Sequence, residues 1–115
     1  MIVLGIDPGT IAAGYGAVDH GGGSTRLIDC GAVRAKRSLS LAERLNVIYS
    51  GLQEVIARVN AEVAVVEEPF AGKNLATAIA IGEARGVALL ACTSAGLRVE
   101  EFSPSEIKRA VTGNG

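Results

Sequence analysis

The sequence has no tryptophan and only two phenylalanines, two tyrosines and one methionine in 115 residues. A core without large rings has to be filled by aliphatic side chains, and at 49% hydrophobic and 20% charged the composition is that of a globular domain. Charge of one sign is missing too. Eleven Lys and Arg stand against twelve Asp and Glu, a net of -1, so the chain as a whole carries no electrostatic signature for nucleic acid, although net charge does not describe a single face. The two cysteines, Cys30 and Cys92, lie far apart and form no C-x-x-C pair, which points to a reducing, cytoplasmic setting. The amino terminus opens directly on a strand-like run, without the charged start, apolar stretch and cleavage site of a secretory signal. No apolar run approaches the roughly 18 to 20 residues that span a bilayer, so no membrane partner is expected. Repeats, low-complexity tracts and internal linkers are absent as well, which leaves a single domain over 1–115.

What is present starts with Ile2-Val-Leu-Gly-Ile-Asp7-Pro-Gly-Thr10, an apolar strand that delivers one carboxylate and then turns. A charge at the end of such a run is costly unless a cation or hydrogen-bond donors meet it. Pro8-Gly9 suits a type I or type II turn, because Pro pre-sets φ and Gly tolerates positive φ at the next position. Ala12 to Val18 reads as the returning strand and Thr25 to Ala35 as a third, joined by a loose connection over Asp19-His-Gly-Gly-Gly-Ser24. Three strands with short links make an antiparallel meander.

Ser40-Leu-Ala-Glu43 is a capping box, and Leu41, Leu45, Ile48, Leu52, Val55, Ile56 and Val59 then recur at helical spacing up to Asn60. Glu62 to Glu67 is a short, nearly continuous apolar strand, of the kind buried in a parallel arrangement. Pro69 to Asn74 reads as a loop, Leu75 to Ala95 as an Ala-rich helix with Gly82 and Gly86 on one face, and Arg98 to Phe102 as a fifth strand. A second capping box, Ser103-Pro-Ser-Glu106, opens another helix. The order predicts an α/β fold: a five-stranded mixed sheet, three antiparallel strands then two parallel, with helices on both faces.

Parallel pairing of the fourth strand with the first would set its terminal carboxylate beside Asp7, one inter-strand gap of about 4.8 Å away. Two such groups repel unless a proton or a divalent cation lies between them, and carboxylate oxygens suit Mg2+. Glu67 and Glu68 both stand at that strand end; side chains alternate, and parity alone does not choose between them. The plainer readings are a turn-capping Asp and an exposed Glu. Between Arg26 and Arg44, the five cations Arg26, Arg34, Lys36, Arg37 and Arg44 outnumber Asp29 and Glu43, which fits a solvated strand end or a phosphate-contacting patch.

Gly5-Ile-Asp-Pro-Gly-Thr10 with Gly14-Tyr-Gly16, Val65-Val-Glu-Glu-Pro-Phe70 with Lys73-Asn74, Gly82-Glu-Ala-Arg-Gly86, and Ile107-Lys108 followed by Val111-Thr-Gly113 together resemble the RuvC-type Holliday junction resolvases, in order and over nearly the whole chain. The resemblance implies a ribonuclease H-like fold, a homodimer formed through the helix 75–95, and Mg2+-dependent symmetric nicking of four-way junction DNA in recombination and repair. Mn2+ is expected to substitute for Mg2+. Carried over residue by residue, it makes Asp7 and Glu67, rather than Glu68, the catalytic metal ligands and places Lys108 beside the active centre. It sets Phe70 against bases near the exchange point. Lys73, Asn74, Arg85, Arg34, Lys36 and Arg37 are candidate DNA contacts, with Arg85 equally suited to pair with a neighbouring acid. A branch-migration motor complex is implied as a partner. The family's further acidic pair on a C-terminal helix has no counterpart before Gly115, so an impaired form lacking that segment is expected.

Three other readings compete. Gly5 to Thr10 also resembles the first phosphate loop of the actin and sugar-kinase superfamily, whose second domain and second phosphate motif 115 residues do not supply. A ribonuclease H-like nuclease acting on RNA fits the strand order but not the 67–74 segment. A non-catalytic module that holds junctions without cutting fits the missing acids.

Overall fold

In a computed structural model that describes residues 1–68 and 74–102, the apolar run Ile2–Asp7 forms β1 at the centre of a five-stranded sheet. β2 (Ala12–Gly21) and β3 (Ser24–Arg34) follow as an antiparallel meander. α1 (Leu41–Val59), β4 (Val63–Glu67), α2 (Leu75–Ser94) and β5 (Arg98–Phe102) complete the order. The strands lie β3-β2-β1-β4-β5, with β4 parallel to β1 and β5 parallel to β4, as the order of elements requires.

The β2–β3 connection is tighter than its composition suggests. β2 continues through Gly21 and β3 begins at Ser24, so Asp19 pairs with Arg26 and His20 with Thr25. Only Gly22 and Gly23 form the turn, at φ of 60° and 79°. Two successive positive φ values are what a two-residue hairpin matching strand twist demands, and glycine meets that demand without strain.

Alternation assigns the two faces. Leu4, Ile6, Ala13, Ala17, Ala64 and Val66 are buried and form one cluster with Ile48, Leu52, Val55, Ile56 and Val59 of α1 and Ala88, Ala91 and Cys92 of α2. Both described helices therefore cover the same face and touch each other. The reason is topological: the crossovers β3 to β4 and β4 to β5 advance in the same direction across the sheet, and crossovers of one hand then place their helices on one side. Helices on the second face are not among the described elements; the helix expected from Ser103 lies outside the described residues.

The start of α1 is the capping box read from the sequence: the Glu43 N–H donates to Ser40 Oγ at 3.1 Å, and the Ser40 N–H donates to Glu43 Oε1 at 3.0 Å. Asn60 closes the helix in the left-handed region at φ 57°. α1 comes so near β3 that a Cβ on Gly51 would lie 2.3 Å from Val33 Cγ1. A cross-element tie that the sequence did not suggest joins Tyr15, Asp29 and Arg58. Arg58 donates to Asp29 Oδ2 at 2.7 Å and to the Tyr15 hydroxyl at 2.8 Å, and Tyr15 donates to Asp29 Oδ2 at 3.2 Å. Gly31 makes room for it, since a Cβ there would lie 3.1 Å from the Tyr15 oxygen.

α2 is largely apolar, with Glu83 and Arg85 its two charged residues, yet its buried residues are only Ala84, Ala88, Ala91 and Cys92. By length and composition alone it is long and apolar enough to cross a membrane, which corrects the expectation that no run approaches that length. Here it packs on α1, β4 and β5, while Leu75, Ile79 and Leu90 remain more than half exposed. Cys30 and Cys92 are both free; burial pushes the Cys92 thiol up to about 11, so it behaves as a packing residue.

Candidate active site

β1 and β4 pair in parallel with Ile6 opposite Val66, so the next residues, Asp7 and Glu67, stand side by side at the ends of adjacent strands. Ile6 and Val66 point into the helix-covered core. Alternation turns Asp7 and Glu67 to the opposite face, with Gly5 and Val65 behind them. Glu67 is the last residue of β4, and Glu68 lies beyond the strand and outside the depression that Asp7 and Glu67 share. The geometry thus separates the two glutamates that the sequence alone left equivalent.

That depression is open, about 330 Å³, and is lined by Gly5, Ile6, Asp7, Gly14, Tyr15, Gly16, Val65 and Glu67. Partial burial of Glu67, and after it the charge and hydrogen-bonding contact of Asp7, raise the Glu67 carboxyl above the usual glutamate range. The turn after Asp7 is held by close approach: a Cβ on Gly9 would lie 2.3 Å from the Ala12 carbonyl oxygen, so a side chain there would push the turn open. Among the described residues no group of three His, Cys, Asp or Glu side chains is arranged to hold a metal ion, so the acids gathered here are a pair.

The remaining candidate residues divide by position. Arg34 is exposed on β3 opposite Ala12, on the same face as Asp7, while Lys36 and Arg37 are exposed in the link to α1. These three make no ion pair among the described residues, whereas Arg26 pairs with Asp19 at 3.7 Å and Arg44 donates to the Leu39 carbonyl at 2.9 Å. Arg85 is the exception among the candidates. Its guanidinium is mostly buried on the helix-covered side and pairs with Glu101, which gives it a structural role there. Asn74 caps α2, its Oδ1 accepting from the Thr77 N–H at 2.8 Å, which leaves only its amide N–H groups for another partner. Phe70, Lys73 and Lys108 lie outside the described residues.

The family model for the crossover junction endodeoxyribonuclease RuvC matches residues 3–115. A crossover junction endodeoxyribonuclease RuvC from Chloroflexus aggregans is 48% identical over 115 residues, covering all of this chain and 70% of the relative. The structure of T. thermophilus RuvC in complex with a Holliday junction substrate superposes with a TM-score of 0.91 at 34% identity, over 100% of this chain and 70% of that one. An Aquifex aeolicus member of the Ppx/GppA family superposes at 0.55 with 20% identity, a likeness of fold alone.

Proposed function

The chain belongs to the crossover junction endodeoxyribonuclease RuvC family, and from that premise we propose that it nicks four-way DNA junctions symmetrically, with Asp7 and Glu67 holding a divalent cation. The observation that carries the proposal is the placing of these two carboxylates side by side on one sheet face, open to solvent.

The donor set fits such an ion. Its oxygens are hard, its charges repel each other, and the open depression leaves room for water and phosphate oxygen, the remaining ligands that Mg2+ favours. Mg2+ is the proposed ion, with Mn2+ as a substitute. A bound divalent ion supplies polarisation of the phosphodiester and a water of lowered pKa. The protein's part is placement. Two central strands fix the carboxylates, and the turn braced at Gly9 keeps Asp7 at the strand end. Lys108 would offset charge developing at phosphorus, and Phe70 would stack on a base near the exchange point. Arg34, Lys36, Arg37 and Lys73 would contact phosphates, with the Asn74 amide as a further donor.

A homodimer through α2 is part of the proposal, supported by the exposed Leu75, Ile79 and Leu90 beside Gly82 and Gly86, where an added Cβ would meet nothing. Ile79→Glu should shift sedimentation toward the monomer; an unchanged profile would place the interface elsewhere. A branch-migration motor complex as partner rests on the family resemblance.

Gel shifts with four-way, duplex and single-stranded DNA, with and without Mg2+, together with a nicking assay, test the reading. Selective binding and Mg2+-dependent nicking of the junction support it; equal binding to all three DNAs counts against it. One observation favours a second reading, a module that holds junctions without cutting: among the described residues, the acids brought together at the depression are two.

A further inference from the structure

Glycine inside a strand weakens it, and a glycine without an internal reason marks a place where something from outside comes close. Gly9, Gly31 and Gly51 each have an internal reason, since a Cβ would meet the Ala12 carbonyl, the Tyr15 hydroxyl and Val33 respectively. Gly14 has none. It lies within β2 opposite Asp7, away from the register shift at Ala17/Val18. Its φ is outside the left-handed region, and a Cβ there would make only an ordinary 3.8 Å contact with Asp7 Cβ. That added atom would, however, enter the depression that Gly14 shares with Asp7 and Glu67.

We infer that Gly14 is a specificity-determining position: its bare backbone leaves the room in which a DNA phosphodiester reaches the carboxylate pair. The inference rests on the nuclease reading above and adds to it a residue that neither binds metal nor carries charge. It makes the site's selectivity partly steric, admitting the flat backbone approach of a nucleic-acid strand where a side chain would hold the phosphate off. Gly16 supplies the comparison. It also lines the depression on the same strand and face, but opposite Gly5 and two register pairs further from the carboxylates, and an added Cβ there meets nothing within 4 Å.

The test uses the 115-residue protein, Gly14→Ala and Gly16→Ala. Melting temperature and four-way junction affinity are measured for each, in EDTA and in Ca2+, which ligates both carboxylate and phosphate oxygens. Gly14→Ala should melt at or above the wild-type temperature and bind the junction equally well in EDTA. The gain in affinity that Ca2+ gives the wild type should fall about tenfold. Gly16→Ala should keep most of that gain. A Gly14→Ala protein that retains the full Ca2+-dependent gain would overturn the inference. So would one that melts lower, since the glycine would then have an internal role, or a wild type that binds junctions without any gain from Ca2+. A wild type that binds no junction in EDTA would remove the nuclease reading itself, a separate result.

Discussion

Asp7 and Glu67 end neighbouring parallel strands on the same face of the sheet, and partial burial, followed by the charge and hydrogen bonding of Asp7, raises the Glu67 carboxyl above its ordinary range. Strand pairing holds the two charges together although they repel, and such strain is typical of a site organised for something other than stability.

Neutralising Glu67 should therefore stabilise the metal-free protein. A carboxyl whose folded-state pKa is raised contributes stability that is fully present below its unfolded value, here 4.5, and lost as pH rises through the folded value. In EDTA near pH 7, Glu67→Gln should melt above the wild type, and the difference should shrink as pH falls toward and below 4.5. Calorimetric scans across that range check it. A Glu67→Gln protein that melts lower at pH 7 would mean that neither burial nor Asp7 disfavours the Glu67 charge.

Much of this arrangement was legible beforehand. The apolar runs, the capping box at Ser40 and the order of elements sufficed for a mixed sheet with β4 beside β1, because periodicity and short links leave few topologies. Strand parity left Glu67 and Glu68 equivalent and only the family resemblance named Glu67; the register that sets Glu67 beside Asp7 is a relation between distant segments that no local pattern contains. Asp19 to Ser24 looked loose because glycine composition does not tell a flexible loop from a tight turn of positive φ. The Tyr15–Asp29–Arg58 tie was invisible because its members come from three elements whose spacing has no sequence signature. The two described helices share one face because their crossovers advance in the same direction across the sheet, while the helix expected from Ser103 lies outside the described residues.

Asp7→Asn should abolish nicking while leaving junction affinity within about twofold, since one metal anchor is lost but the phosphate contacts, which dominate affinity, remain. Nicking and gel-shift assays on the same preparation check both halves. Loss of binding together with nicking would mean that Asp7 supports the fold or the DNA surface rather than the chemistry.

Arg34, Lys36 and Arg37 have no partners to give up among the described residues, so their replacement by Ala should show mainly in DNA binding. If all three contact phosphates, the slope of log affinity against log salt should become shallower by about 2 to 3 in the triple variant. Arg85→Ala should leave that slope unchanged and lower stability instead, because Arg85 pairs with Glu101. The reverse pattern would move the DNA path to the α2 side.

Gly51→Ala tests the packing that positions the sheet under α1. The added methyl would lie 2.3 Å from Val33 Cγ1, and overpacking of this kind costs about 1 to 3 kcal/mol. Val33→Ala should relieve most of that cost in the double variant. Denaturant titration of the four proteins checks it, and additive losses would show that the two residues do not meet.

The central claim, that Asp7 and Glu67 act as one cation site, is tested most directly by titrating Mn2+ into the wild type, Asp7→Asn, Glu67→Gln and the double variant, with paramagnetic resonance reporting free ion. The account predicts saturable binding by the wild type, a large loss in either single variant, and little further loss in the double variant. Single variants that bind Mn2+ as tightly as the wild type would contradict it.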